Sequence, residues 1–126
     1  MMVQRRDSRR VERPLYDGDG VLGLEEYFAG STRLTSSVLR YYFEPGASEG
    51  VHRHDAEAAD SCTPDDSDEL YLVVSGELVI DIEGKRTTLR AGDAAYAPAR
   101  TWHGIANESD DPAEMVLIFG PPRSRT

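Results

Sequence analysis

Between Leu34 and Phe119 the chain is cut into short runs rich in β-branched, aromatic and aliphatic residues. Each run is closed by glycine, proline or asparagine, and this cadence limits the fold more than any other feature. Val, Ile, Tyr, Phe and Thr suit a pleated, half-buried surface, and the closing residues supply turn conformations. Leu34 to Phe43 reads as a strand that stops at Glu44-Pro45-Gly46, and Val51 to His54 as a short second one. Glu69 to Val74 and Glu77 to Ile82 flank Ser75-Gly76, a pair suited to a two-residue hairpin, so they are expected to form a meander. Thr87 to Leu89, Ala94 to Ala97, His103 to Ala106 and Glu114 to Phe119 continue the series. No repeat is visible, and no segment keeps a helical period beyond a few turns. Strands this close together predict an all-β sandwich or barrel. Leu15 to Gly30 fits either a helical turn around Leu22, Glu25, Glu26 and Phe28 or an edge strand.

With 126 residues, 39% of them hydrophobic, the chain has room for one domain around one core. Its 23 acidic against 14 basic residues give a formal charge of −9, which opposes association with nucleic acid or an anionic membrane surface. The lone Cys62 has no internal disulfide partner, and no apolar run approaches the roughly 20 residues of a membrane span. No apolar stretch follows the arginines near the N-terminus as a secretory signal requires, so the expected location is the cytoplasm. Residues 1–13 carry five arginines and little to bury, and 121–126 are equally poor in apolar residues. Both are expected to be flexible tails flanking a barrel over 14–120.

Candidate chemistry rests on three histidines and a carboxylate. His52 and His54 are two apart in a segment read as a strand, so their imidazoles would share a face within reach of one cation. His103 is the only other histidine, and Glu69 opens the next apolar strand. Such a set suits iron, manganese, nickel, cobalt or zinc. The His-x-His pair alone is common, and its context decides.

That context resembles the cupin superfamily. Gly46, His52, His54, Glu69 and Gly76 match the order and offsets of its first motif, and Gly92, Pro98, His103 and Asn107 those of its second. The resemblance implies a double-stranded β-helix, or jelly-roll, barrel, with His52, His54, Glu69 and His103 as ligands of one divalent transition metal on inward faces. Two departures stand out. Arg100 occupies a position where the family usually has glycine, which implies a different turn before His103. Asp55 to Asp68, with six acidic residues and no basic one, is longer than the family's usual connection and reads as an exposed loop near the barrel mouth. Glu57 in that insertion is an alternative carboxylate ligand. Glu69 is preferred because it keeps its offset to Gly76 and would point inward with Tyr71 and Val73.

Tyr71 would thus place a phenol beside the metal, as a lining residue able to hydrogen bond a substrate oxygen or act as an acid. On the preceding strand, Arg40 and Tyr42 share one face, and Leu39, Tyr41 and Phe43 the other. If the first face points inward, Arg40 would anchor a substrate carboxylate. Trp102 would point away from the metal.

Four protein ligands on an octahedral ion leave two positions for small oxygen donors. The resemblance does not choose among activities, and the leading expectation is an iron(II) dioxygenase. The resemblance also admits a redox-neutral isomerase, cyclase or decarboxylase using zinc, manganese or nickel, and a metal-dependent module that binds a small molecule without turnover. The acidic insertion favours a neutral or cationic substrate, and the family habit is a homodimer.

Overall fold

The computed structural model describes residues 1–53 and 67–120. They form ten strands: β1 (Val11–Arg13), β2 (Leu22–Glu26), β3 (Ser37–Phe43), β4 (Ser48–His52), β5 (Asp68–Ser75), β6 (Glu77–Ile82), β7 (Lys85–Arg90), β8 (Ala94–Ala97), β9 (His103–Ala106) and β10 (Ala113–Gly120). Among the described residues there is no helix, and so none long and apolar enough to cross a membrane. The ambiguous stretch after Leu15 resolves as β2, a strand rather than a helical turn.

All strand pairs are antiparallel. Six strands form one sheet in the order β1-β2-β3-β10-β5-β8, and four form the other in the order β4-β9-β6-β7. The two face each other across a core that includes Tyr41, Phe43, Tyr71, Val73, Leu78, Met115 and Leu117. Strand β10 shows why: its residues alternate buried and half-buried along the whole strand, so every second side chain, from Ala113 to Phe119, enters the core. Stacking two such faces gives the jelly-roll barrel that the strand cadence implies.

The expected hairpin across Ser75-Gly76 is corrected. Strand β5 pairs with β10 and β8, whereas β6 pairs with β9 and β7, so the chain turns a corner there from one sheet to the other. Gly76 sits at a φ of 73°, and a Cβ on it would lie 2.5 Å from the Pro112 carbonyl oxygen, so only glycine fits the corner. The tight hairpin is instead β6–β7, where Glu83 and Gly84 both take positive φ and Ile82 faces Lys85.

The first 13 residues, expected as a solvated arm, have fixed partners in the structure. Strand β1 pairs with β2. Upstream, Glu25 accepts hydrogen bonds from Gln4 Nε2 (3.0 Å) and from the backbone N–H groups of Asp7 (2.8 Å) and Arg9 (3.0 Å). Composition missed this because the attachment is polar: one buried carboxylate gathers the segment's donors. Residues 54–66, which hold His54 and all of the insertion but Ser67 and Asp68, and residues 121–126 lie outside the described residues.

Candidate metal centre

Strands β4, β5 and β9 bring the candidate residues together on inner faces. His52 and His103 are direct partners between β4 and β9, and their rings lie edge to face with centroids 4.4 Å apart. Both are buried. His52 Nδ1 lies 2.7 Å from the Gly50 carbonyl oxygen, and His103 Nδ1 lies 3.0 Å from that of Thr101. A carbonyl only accepts, so each Nδ1 is the protonated nitrogen and donates. Each neutral ring then keeps its lone pair on Nε2, the tautomer of a metal-ligating histidine held by its backbone.

Glu69, the second residue of β5, is buried with Tyr71 and Val73 on the same side of the strand. Its Oε2 lies 3.1 Å from His103 Nε2 and accepts a hydrogen bond from the Tyr71 hydroxyl. Burial, then the charges of Glu69 and Glu49, push the Tyr71 phenol well above its ordinary pKa, so it stays protonated and donates. Tyr16 lies flat on His52, with centroids 3.4 Å apart and ring planes 7° apart.

Glu49 is the residue that sequence reasoning missed. Donor atoms of Glu49, His52 and His103 all lie within 4.8 Å of one another. Three residues apart on a regular strand, Glu49 and His52 would face opposite ways. The register between β4 and β9 shifts between them, and this irregularity turns both inward. Gly50 is what allows it: its backbone N–H donates to the Leu15 carbonyl at 3.1 Å, and a Cβ there would lie 1.8 Å from the Tyr16 carbonyl oxygen. A glycine just after an acid and before a histidine was the available signal.

The electrostatics also call for a cation. Glu49 is pushed up to about 8, first by burial and then by the charge of Glu69. For His103, burial disfavours the charged form, but Glu69 and Glu49 outweigh it and hold the imidazole above its ordinary pKa. The donor atoms of Glu49, His52 and His103, gathered within 4.8 Å, with Glu69 beside His103, suit a divalent transition metal.

The other expected residues lie elsewhere. Arg40 and Tyr42 are on the outer face of β3, and Tyr41 and Phe43 on the inner one, which corrects Arg40 as a substrate anchor inside the barrel. Arg40 Nη2 bonds Glu25 Oε1 at 3.0 Å and also pairs with Asp7, and Nη1 lies 3.6 Å from Glu114. Tyr42 donates to Glu44 and lies under the Arg10 guanidinium, so it too is off the inner face. Trp102 points outward beneath the Arg53 guanidinium. Asn107, from the second motif, is structural: its Nδ2 donates to the carbonyls of Phe43 and Asp111 and fixes the turn between β9 and β10. Arg100 takes a φ of 66°, the left-handed conformation that glycine usually fills at this turn. His54, Glu57 and Cys62 lie outside the described residues.

Two antiparallel sheets closed over an inward histidine and carboxylate cluster define a β-barrel with a candidate metal site. The chain belongs to the cupin superfamily: the family model "Cupin domain" matches residues 61–119. It is 32% identical over 101 residues to an uncharacterized protein of Streptomyces coelicolor, covering 80% of this chain and 95% of that one. More distant relatives are gentisate 1,2 dioxygenase 1 of Aquipseudomonas alcaligenes (29% identity, 72% of this chain, 23% of the other) and an oxalate-binding protein of Thermotoga maritima (28%, 64% and 58%). Among solved structures, a predicted oxalate decarboxylase from Thermotoga maritima superposes with a TM-score of 0.77 at 20% identity, covering 94% of this chain and 97% of that one. A Cupin 2 conserved barrel domain protein from Salinispora arenicola gives 0.72 at 19%, covering 94% and 87%.

Proposed function

We propose that the protein is a metal-dependent cupin enzyme acting on a small oxygen-bearing metabolite, with iron(II) dioxygenation as the leading reaction. The carrying observation is the pair of histidines whose Nδ1 protons are committed to backbone carbonyls and whose Nε2 atoms face buried carboxylates. His52, His103 and Glu69 would hold the ion, with His54, just before the insertion, and Glu49 as further donors. A bound iron(II) would supply Lewis acidity and dioxygen chemistry. The chain's own part is positional. Tyr71 donates to Glu69 and orients that carboxylate, and Tyr16 packs on His52 and limits water at that ring. Tyr71 is thereby a positioning residue, whose proton sits at the carboxylate rather than at a substrate.

The relative named for gentisate supports the dioxygenase reading. The relative named for oxalate binding supports a second, in which the same centre holds a small acid without turnover. Redox-neutral catalysis with zinc, manganese or nickel uses the same donors. The test is the metal content of protein purified without air, measured beside oxygen uptake with candidate metabolites. Iron with uptake is the expected result. Zinc, manganese or nickel with turnover in the absence of air replaces it with the redox-neutral reading. A bound ligand recovered unchanged replaces both.

A further inference from the structure

The five arginines of residues 1–13 divide into two sets. Arg6 pairs with Glu114 on the barrel's outer face, whereas Arg10 pairs within the segment, with Glu12 (2.7 Å) and Asp7 (3.5 Å), and lies over the Tyr42 ring of β3. Arg5, Arg9 and Arg13 form no ion pair among the described residues. All three line a cavity of about 970 Å³.

That cavity lies between the N-terminal segment and the inner face of the six-stranded sheet, with Leu24, Leu39, Tyr41 and Phe119 among its walls. It borders the candidate metal centre at two points. Tyr41 hydrogen bonds Glu49, and Phe119 faces Glu69 across the β5–β10 pairing. Its lining combines apolar side chains with Arg5, Arg9 and Arg13, against the single carboxylate of Glu26, and Tyr41 leads towards the buried donors. In a chain of formal charge −9, this is a local reversal of sign.

We propose that this cavity is the substrate chamber of the metal centre, and that its substrate is an amphipathic organic acid. The hydrocarbon or aromatic body would lie on Leu24, Leu39 and Phe119, and the carboxylate would be met by Arg5, Arg9 and Arg13. Apolar burial supplies affinity, while charge-assisted guanidinium–carboxylate bonds set the orientation. The opposite end of the molecule is thereby directed to Tyr41 and the donors behind it. This replaces the neutral or cationic preference inferred from the acidic insertion, because the N-terminal segment puts cations at the cavity itself.

The inference rests on the metal-centre reading for the fate of the substrate, but not for its capture, so the two are tested apart. Binding of 3-phenylpropionate, 3-phenylpropanamide and 3-phenylpropylammonium to the full-length, metal-free protein is measured by calorimetry. The acid is expected to bind at least 10-fold more tightly than the amide, and the ammonium more weakly than either. The combined variant R5Q/R9Q/R13Q is expected to lose at least 10-fold in affinity for the acid while affinity for the amide is unchanged. R5K/R9K/R13K is expected to recover part of the loss. Far-UV circular dichroism and the melting temperature check that each variant is folded. Because binding is measured without metal, its outcome bears on the chamber alone, and the metal reading is tested by metal content and oxygen uptake. Equal binding of acid and amide, or a triple glutamine variant that binds the acid normally, would overturn the proposal whatever the metal content.

Discussion

Two of the buried charged clusters among the described residues, one on the outer face of the six-stranded sheet and one between the two sheets, are built on opposite principles. On the outside, Arg40 lies among Glu25, Asp7 and Glu114, so a fixed cation meets the carboxylates. On the inside, the Glu49 carboxylate lies within 4.8 Å of the donor atoms of two imidazoles, and Glu69 lies 3.1 Å from one of them. The same residue type responds in opposite directions. Burial alone would raise Glu25, but hydrogen bonds from Gln4, the Arg9 backbone and Arg40 carry it down to about 2, whereas burial and Glu69 carry Glu49 up to about 8. A cluster that closes its own charge balance holds structure together. One that crowds carboxylates with imidazoles has the donor chemistry of a cation site.

The sharpest way to break this contrast is to remove a fixed charge from each side. Arg40→Met leaves Glu25 buried without its guanidinium and is expected to cost about 3–5 kcal/mol in urea unfolding at pH 7. Metal bound per folded chain should stay the same. His52→Ala should do the reverse: metal content measured by mass spectrometry falls to background, with little change in the stability of the metal-free barrel. Stoichiometric metal in that variant would remove His52 from the ligand set.

Next in size is the response to pH of the metal-free protein. Glu25 is depressed when folded, so its contribution is present above about 4.5 and is lost as pH falls towards 2. It amounts to about 3 kcal/mol by linkage, and Glu25→Gln should flatten that acid limb. Glu49 has the opposite sign: its folded form favours the proton, so its contribution is full below about 4.5 and fades as pH rises through about 8. His103, also raised, adds to that alkaline loss. Glu49→Gln should remove most of the alkaline limb. Added divalent metal should restore stability at pH 8 in the parent and fail to do so in His52→Ala. The smallest expected effect is at Arg100, where glycine should relieve the left-handed strain and stabilise by up to about 1 kcal/mol without altering metal content.

How much of this was legible in the sequence depended on whether a feature was local. Ala94 to Ala97 and His103 to Ala106 were read with the bounds of β8 and β9, because glycine, proline and asparagine frame them. The inward turn of Glu69 with Tyr71 followed from a period of two along an unbroken strand. Glu49 escaped because an irregularity at Gly50 breaks that period where function needs it. Ser75-Gly76 carried the signature of a hairpin, but Pro112, far along the chain, decides that it is a corner. The face of β3 could not be chosen from sequence either, since Arg40 points outward only because Asp7, Glu25 and Glu114 wait there to receive it.

The place of β10 has a consequence for how the chain reaches this structure. It comes last among the ten strands, yet it lies at the middle of the larger sheet, joined to β3 on one side and β5 on the other. Until it arrives, those two strands have open inner edges and the layer carrying Glu69 is not closed. A ribosome-bound chain must therefore wait with unpaired strands, dependent on long-range pairings that form slowly and expose aggregation-prone edges meanwhile. Assembly of the metal-binding layer thus waits on the last of the described strands to be synthesised, the keystone of the larger sheet.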